Sequence, residues 1–322
     1  MASERILLQV PMAAGDTVAV TALVRDLHRQ YPDIEVGLEA TGGGEIAKYN
    51  PYLIHLGPGD AVRKIRLNYR TDIDDVFKNG ARLHFLDSFH RDLTRQTGIK
   101  VTLTDPYPDL HLSQSEQHSS YYQEPYWVVV AGGKPDAATK IWSKAGFQSV
   151  IDYTHTRGTN WVQAGCRGDA RFQHTHHKLL NVVDRTGQTT LRELIRLIYH
   201  AEGVLCGVSL PMLIAAAFSK PCVVVAGGRE SWWWTAFTRD NTALPNAAHL
   251  ITPHHFFHTI GQLDCCQTGG CWSCSVVPPH NDSTFPDGFL CRRPLQLLDG
   301  SHLPECLSKI DPILVAAAVL SR

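Results

Sequence analysis

The chain has 322 residues, of which 43% are apolar and 19% charged, and its formal net charge is -1. This composition excludes a largely disordered chain, and the near-neutral charge excludes a global field that steers the protein toward nucleic acid or anionic lipid. The N-terminal stretch MASERILLQVPMAAGDTVAV is not apolar enough for a signal peptide or a membrane span, and the C-terminal PILVAAAVLSR is too short to cross a bilayer. We therefore expect a cytoplasmic protein without a membrane span, in a compartment that keeps thiols reduced.

The first third of the chain alternates strands and helices. Residues 6–10 predict a buried strand, residues 17–31 a helix that ends before a proline, and residues 34–40 a second strand. This β-loop-α-β unit starts a parallel sheet with a right-handed crossover. A Gly-rich loop, a short helix and a third strand are predicted within 41–57, and a further helix within 82–100.

The same pattern starts again at an apolar strand predicted within 124–133, so we place a domain boundary near 118–126. The alternation then resumes with strands within 149–154, 160–165, 203–208 and 221–228 and helices within 189–202 and 210–218. We predict an α/β protein with two Rossmann-like domains, 1–122 and 123–322, because a chain of this length exceeds one core. Ligands of such open sheets bind beyond the carboxyl ends of the strands, in the cleft between the domains.

The segment 263–306, called the cysteine knuckle below, holds most of the cysteines of the chain. Its members are Cys265, Cys266, Cys271, Cys274, Cys291 and Cys306. A Cys-x2-Cys loop preceded by glycines, followed by two later cysteines, suits a tetrahedral zinc or iron site. The irregular stretch VVPPHNDSTFPDG would be ordered by such a metal. Free thiols, a disulfide and a catalytic cysteine are the alternatives, and a reducing compartment disfavours the disulfide.

Several stretches together resemble the heptosyltransferase-like glycosyltransferases of family 9. They are GDTVAVTALVRDLHRQYPDIEV, GGKPDAATKIW, GQTTLRELIRLIYHAEGVLCGVSLPMLIAAAFSKPCVVVAGGRE and the cysteine-rich tail, which is similar to the subgroup related to autotransporter heptosyltransferases. The resemblance implies the GT-B architecture, an N-terminal acceptor domain, a C-terminal domain for a nucleotide-sugar donor such as ADP-heptose, and inversion at the anomeric carbon. The acceptor, whether saccharide, protein or nucleic acid, and a homo-oligomeric state are left open.

Asp16 is the predicted catalytic residue. It follows the first predicted strand in a loop that faces the cleft, and the resemblance places the general base in this Gly-Asp element. An acceptor hydroxyl must lose its proton as it attacks the sugar, which a carboxylate can accept. The alternative is that Asp16 caps the helix that begins near Thr17.

The predicted donor site combines glycine amides, helix N-termini and basic side chains, all of which suit a diphosphate. Lys140 matches the KxW lysine of the family, with a surface lysine as the alternative. Thr190 starts a helix and would also form a capping box with Glu193. The full predicted set is Gly15, Gly132, Gly133, Lys140, Thr189, Thr190, Ser209, Met212, Gly228 and Arg229.

Two positions depart from the family pattern. Leu213 stands where relatives have a histidine, and Thr235 stands where the subgroup has an acidic residue. The departures leave open a donor other than heptose, or an impaired protein that binds nucleotide sugars or serves as a scaffold. At least one tryptophan of the run 232–234 is expected at a cleft or an interface, where it packs or stacks on a base or sugar.

The resemblance also bears on the metal ligands. The predicted ligands are Cys266, Cys271, Cys274, Cys291 and Cys306, of which four would bind the ion. In the subgroup, the position of Cys274 is often not cysteine and one member of the Cys265 and Cys266 pair completes the set. The fourth ligand is therefore open, as is the choice between iron and zinc.

Overall fold

The computed structural model describes residues 4–56, 62–166, 174–269, 271, 275–277 and 290–321. The strands are β1 (Arg5–Val10), β2 (Glu35–Ala40), β3 (Arg63–Arg66), β4 (Trp127–Val130), β5 (Gly132–Gly133), β6 (Trp161–Gln163), β7 (Thr175–His176), β8 (Val183–Asp184), β9 (Gly203–Gly207), β10 (Cys222–Gly227), β11 (His255–His258), β12 (Pro294–Gln296) and β13 (His302–Pro304). The helices are α1 (Ala14–Gln30), α2 (Gly43–Ile46), α3 (Ile73–Phe77), α4 (Phe85–Thr97), α5 (Gln114–His118), α6 (Lys144–His155), α7 (Leu191–His200), α8 (Leu210–Ala217), α9 (Trp232–Thr235), α10 (Glu305–Ser308) and α11 (Pro312–Leu320). Within these ranges, no helix is both long and apolar enough to cross a membrane.

The first sheet is parallel, with strand order β2-β1-β3. The predicted first strand, helix and second strand are confirmed as β1, α1 and β2. The predicted third strand within 41–57 is wrong, because Leu53 makes only an isolated bridge to Val36 and the third strand is β3. The strand β3 is at the sheet edge and has one buried residue, Ile65, among exposed basic ones, so it has no apolar run that predicts a strand.

The second sheet is also parallel, with strand order β11-β10-β9-β4-β6-β8. The predicted strand within 149–154 is wrong, because these residues lie in α6. Ser143 caps α6 by accepting a hydrogen bond from the Gly146 amide, and Phe147, Val150 and Ile151 lie on its buried face. Their spacing of three and four residues is helical, and it outweighs the strand propensity of the short apolar run. The parallel sheets confirm the α/β prediction.

The elements around the two sheets pack directly on each other. The helix α1 contacts α8, and one continuous apolar core includes residues of both. Trp233 donates a hydrogen bond to the Ala81 carbonyl at 3.0 Å, and Trp234 packs on Phe77 with ring centroids 5.8 Å apart. The expectation that the tryptophan run reaches an interface is thus confirmed for these two residues.

A buried arginine joins α7 to the elements around the first sheet. The Arg192 guanidinium donates to both carboxylate oxygens of Glu116, at 2.9 and 2.6 Å, and to the carbonyls of Glu45 and His111. Glu116 also accepts from the Ser113 amide at 2.9 Å and so closes the capping box of α5. Because the pair has little contact with solvent, each partner depends on the other for its hydrogen bonds.

Replacing Glu116 with Gln is expected to lower the free energy of unfolding by about 3 kcal/mol at pH 7. The hydrogen bond from Arg192 holds the pKa of Glu116 at about 2, below its ordinary value of 4.5. A carboxyl with a depressed folded-state pKa stabilises above pH 4.5 and loses this contribution as the pH falls toward 2. Urea unfolding of the wild type and of Glu116→Gln should therefore show a difference in the free energy of unfolding that narrows as the pH is lowered. Glu193→Gln in the similar capping box of α7 is the control and should cost only about 0.5 kcal/mol, because Gln keeps the hydrogen bond and only the charge near the helix N-terminus is lost. A Glu116→Gln effect that does not change with pH would argue against the ion pair.

Candidate active site

Asp16 lies in the first turn of α1, after the carboxyl end of β1. The expected cap of a helix beginning near Thr17 is wrong in position, because α1 begins at Ala14; Asp16 is its third residue, and its Oδ2 atom accepts a hydrogen bond from the amide of the N-cap residue Ala13 at 2.9 Å. Burial raises the pKa of Asp16, against the lowering effects of the Ala13 amide and of Lys140, Arg70 and Lys134. A carboxylate with a raised pKa is a stronger proton acceptor, as a general base requires.

Three charged residues, called the Glu230 cluster, lie near the strands of the second sheet, and the charges of Lys140 and Asp16 act on the pKa of each other. Its members are Lys140, Arg229 and Glu230. Oε1 of Glu230 lies 2.6 Å from Nζ of Lys140, and the same oxygen accepts from the Arg229 guanidinium. Glu230 is only 4% exposed and Arg229 only 5%. One carboxylate is thus shared by the two predicted phosphate-binding cations.

The Tyr69 phenol lies near enough to Asp16 and Glu230 for both charges to act on its pKa. Burial raises the pKa of the Tyr69 phenol, and the charges of Asp16 and Glu230 raise it further. The Tyr69 ring packs on Phe89 and on Trp234, with centroids 5.4 and 6.0 Å apart, so it lies where the elements of the two sheets meet. The phenol therefore stays protonated at neutral pH beside both carboxylates.

Sequence reasoning missed both Tyr69 and Glu230. Glu230 stands in the quoted GGRE stretch, directly after Arg229, and a buried acidic residue beside a predicted phosphate arginine is the signal that was available. Tyr69 lies in no motif, and its place beside Asp16 follows only from the packing of the 3-10 helix Tyr69–Asp72.

The predicted glycines have close neighbours within the protein. Gly132 and Gly133 form β5, which pairs antiparallel with β7, and a side chain at Gly132 would collide with the Thr175 carbonyl. A Cβ at Gly228 would lie 2.6 Å from Sγ of Cys266. Chain packing therefore requires Gly132 and Gly228 but not Gly133, where the nearest neighbour of an added Cβ would be 4.0 Å away. Phosphate contacts by the amides of these glycines stay a prediction.

The helix α7 begins beside the glycine loop of the first sheet. The predicted capping box is confirmed, with the Thr190 amide donating to Glu193 at 2.7 Å and the Thr190 hydroxyl accepting from the Glu193 amide. Gly42, in left-handed conformation at φ +69°, leaves room for Leu191, whose Cδ2 would lie 2.6 Å from a Cβ there. Phosphate binding by Thr189 and Thr190 stays a prediction.

The start of α8 contacts the start of α1. Ser209 is the N-cap residue of α8, and its hydroxyl donates to the Gly207 carbonyl at 3.3 Å. Met212 is 1% exposed and packs in the core. Leu213 packs on Gly15, where an added Cβ would lie 3.4 Å from its Cδ1. An apolar contact beside Asp16 thus occupies the position of the family histidine.

Trp232 lies at the edge of the same region. It is partly exposed and stacks on His258, with ring centroids 6.0 Å apart and an interplanar angle of 17°. The Arg82 guanidinium lies 4.4 Å from the ring centroid of Trp233. Stacking of Trp232 on a base or sugar stays a prediction. Thr235, the second departure from the family pattern, is buried in α9.

The cysteine knuckle surrounds a cavity of about 300 Å³. The thiols along its walls belong to Cys265, Cys266, Cys271, Cys291 and Cys306. Burial raises the pKa of Cys271 to about 12 and also raises that of Cys291 and Cys306, and neighbouring cysteines raise them further. Several thiols therefore line one cavity. They can all ionise only when a cation balances their charge.

The Cys266 thiol differs from the other four. It is buried and lies 3.4 and 3.5 Å from the carbonyls of Thr259 and Leu263, which accept its hydrogen. The cysteines that the structure describes form no disulfide, and no three metal-binding side chains among the described residues meet at coordination distance. Cys274 lies outside the described residues.

The knuckle also contacts the Glu230 cluster. The Ser231 hydroxyl donates to the Thr268 carbonyl, and the Thr268 hydroxyl donates to the Phe77 carbonyl at 2.5 Å. Gly269, at φ +85°, passes so close to Glu230 that an added Cβ would lie 2.9 Å from the carbonyl carbon of Glu230. The loop between Cys266 and Cys271 thus supports the backbone that positions the cluster.

Residues 61–249, more than half of the chain, match the model of glycosyltransferase family 9 (heptosyltransferase). Among solved structures, an ADP-heptose LPS heptosyltransferase II from E. coli is 14% identical, with 98% of each chain covered and a TM-score of 0.54. The iron-containing dodecameric glycosyltransferase TibC from enterotoxigenic E. coli is 17% identical, with 99% of this chain and 75% of that chain covered and a TM-score of 0.62. A family 9 glycosyl transferase from Veillonella parvula is 14% identical, with 80% and 87% covered and a TM-score of 0.55. No curated protein matches the chain.

Proposed function

The chain belongs to glycosyltransferase family 9, and on this premise we propose that it is an inverting transferase that moves a sugar from a nucleoside-diphosphate donor to an acceptor hydroxyl. The observation that carries the proposal is that Asp16, in the first turn of α1, lies near enough to Lys140 for the charge of the lysine to act on its pKa, while Lys140 shares the Glu230 carboxylate with Arg229. ADP-heptose is the proposed donor, since TibC was solved in complex with ADP-D-beta-D-heptose. The GT-B arrangement, with domains 1–122 and 123–322, is part of the proposal.

The chemistry needs a base on one side of the anomeric carbon and positive charge on the other. The acceptor oxygen forms its bond to the anomeric carbon as Asp16 takes the hydroxyl proton, and the bond to the diphosphate oxygen breaks. Lys140 and Arg229 stabilise the negative charge that develops on the leaving diphosphate. Because the cations are already ordered by Glu230 and by burial, they need little rearrangement during the reaction.

Replacing Lys140 with Met is expected to weaken ADP binding about 10- to 100-fold, because a charge-assisted contact to phosphate is lost. Isothermal titration calorimetry with ADP measures the change. Lys144→Met is the matched control, since Lys144 is an exposed lysine at the start of α6, and its ADP affinity should equal that of the wild type. Equal affinity of Lys140→Met and the wild type would remove Lys140 from the donor site.

A second candidate function is nucleotide-sugar binding without transfer. The Leu213 contact with Gly15 favours it, because an apolar side chain fills the place of the family histidine beside Asp16. Donor hydrolysis and transfer assays with ADP-heptose and a panel of UDP and GDP sugars separate the two functions. Binding of a donor with no turnover on any acceptor class would support the second and exclude the first.

We also propose that the cysteine knuckle holds a structural iron or zinc ion. The chemistry of the donor set fits, since several thiols with raised pKa values line one cavity and a cation would balance their charge once they ionise. Cys271, Cys291 and Cys306 would bind the ion together with one further thiol. Bound metal would order the loop that supports Glu230, without a role in sugar transfer itself.

TibC is dodecameric, and we propose a homo-oligomer here too, which light scattering would test. A cytoplasmic location is likewise part of the proposal.

A further inference from the structure

Glu230 is an anion fixed among the proposed donor-binding cations. Its carboxylate contacts Lys140 at 2.6 Å and also binds Arg229, and the side chain is almost fully removed from solvent. The charge of Glu230 also raises the pKa of the Tyr69 phenol. The burial and these partners hold the carboxylate away from solvent. It therefore remains next to any diphosphate that binds Lys140 and Arg229.

A fixed negative charge acts unequally on the donor and the product of sugar transfer. The diphosphate of a nucleotide sugar carries about two negative charges, whereas a nucleoside diphosphate carries about three, since a terminal phosphate loses its second proton near pH ~6. Coulomb repulsion grows with the charge of the ligand and is strong where water is excluded. The carboxylate thus opposes the product more than the donor.

We propose that Glu230 is a positioning residue that speeds release of the nucleoside diphosphate by weakening its hold on Lys140 and Arg229. The inference rests on the proposed function, because it takes these two cations as the diphosphate site. Glu230 lowers the net charge of its cluster from two positive charges to one, which weakens the attraction for the product more than the attraction for the donor. A purely structural role predicts something different: loss of Glu230 would misplace Lys140 and weaken both ligands alike.

The test compares ADP and ADP-heptose on the full chain by isothermal titration calorimetry. In Glu230→Gln, ADP affinity is expected to rise about tenfold and ADP-heptose affinity about fivefold, because the repulsion scales with about three and about two ligand charges. Steady-state assays should show stronger inhibition by ADP and a lower kcat, with KM falling at least in proportion, because slower product release does not lower kcat/KM. Glu35→Gln is the control, because Glu35 is ion-paired to Arg5 at 2.6 Å at the far end of β1 and β2, and its two affinities should stay unchanged.

A double variant keeps the proposal falsifiable if Glu230→Gln does not fold. Lys140→Met and Lys140→Met/Glu230→Gln differ only in the carboxylate, and the double variant removes one charge of each sign. Here too, loss of Glu230 should raise ADP affinity more than ADP-heptose affinity. Equal changes for the two ligands, or weaker ADP binding, would overturn the role of Glu230 and leave the proposed function standing. Failure of the wild type to bind either ligand would overturn the proposed donor, and the inference with it.

Discussion

Asp16→Asn is expected to reduce sugar transfer by about 10²- to 10⁴-fold while ADP-heptose affinity stays within about twofold of the wild type. The Asn side chain has an oxygen that still accepts the hydrogen bond of the Ala13 amide, so the start of α1 keeps its cap. It has no carboxylate to take the proton of the acceptor hydroxyl. Loss of turnover without loss of binding therefore isolates the role of the base from the role of the cap.

The pH dependence adds a second readout. The base must be ionised to accept a proton, so kcat/KM of the wild type should rise with pH through the pKa of Asp16 in the free protein. Because burial raises this pKa above its ordinary value of 3.8, the acidic limb should lie above that of an exposed carboxylate. In Asp16→Asn, this limb should disappear.

Asp311→Asn provides the matched control for the same chemical change. Asp311 caps α11, where its Oδ1 accepts from the Ile313 amide at 2.8 Å. Full transfer activity is expected in this variant. Unchanged turnover in Asp16→Asn would exclude the base, and a fall in activity that follows a fall in melting temperature would assign Asp16 to the cap alone.

The cysteine knuckle is expected to hold about one metal ion per chain, and Cys291→Ser and Cys306→Ser should each lose most of it. Elemental analysis of the purified proteins measures the content, and thermal unfolding should show a lower melting temperature, because binding of the ion contributes to folding. Cys166→Ser is the control, since Cys166 is an exposed cysteine outside the knuckle. A metal content near zero in the wild type would remove the metal from the proposal.

The same measurement identifies the fourth ligand. The Cys266 thiol donates to backbone carbonyls and packs against Gly228, an orientation that does not suit a thiolate ligand. We therefore expect Cys266→Ser to keep its metal, and either Cys265→Ser or Cys274→Ser to lose it. Loss of metal in Cys266→Ser alone would make Cys266 the fourth ligand.

The sequence predicted most of the second sheet because its central strands are short apolar runs between turns, a pattern that indicates buried strands. It failed at β3, where Ile65 alone is buried, and at residues 149–154, where the cap by Ser143 extends a helix over an apolar run. In both places, the interactions that decide the secondary structure involve residues outside the segment itself. The pairing of β3 with β1 and the burial of one face of α6 depend on the rest of the fold.

By itself, the sequence determined the family and the succession of strands and helices along much of the chain, and it nominated the candidate residues Asp16, Lys140 and Arg229. These properties reside in local patterns and in motifs read in order. Only the tertiary structure decided that Glu230 lies between the two cations, that Leu213 covers Gly15, and that the Cys266 thiol faces carbonyls. The physical reason is that contacts such as Lys140–Glu230 and Leu213–Gly15 join residues far apart in the chain, and packing of complete elements selects which of the many sterically allowed neighbours meet.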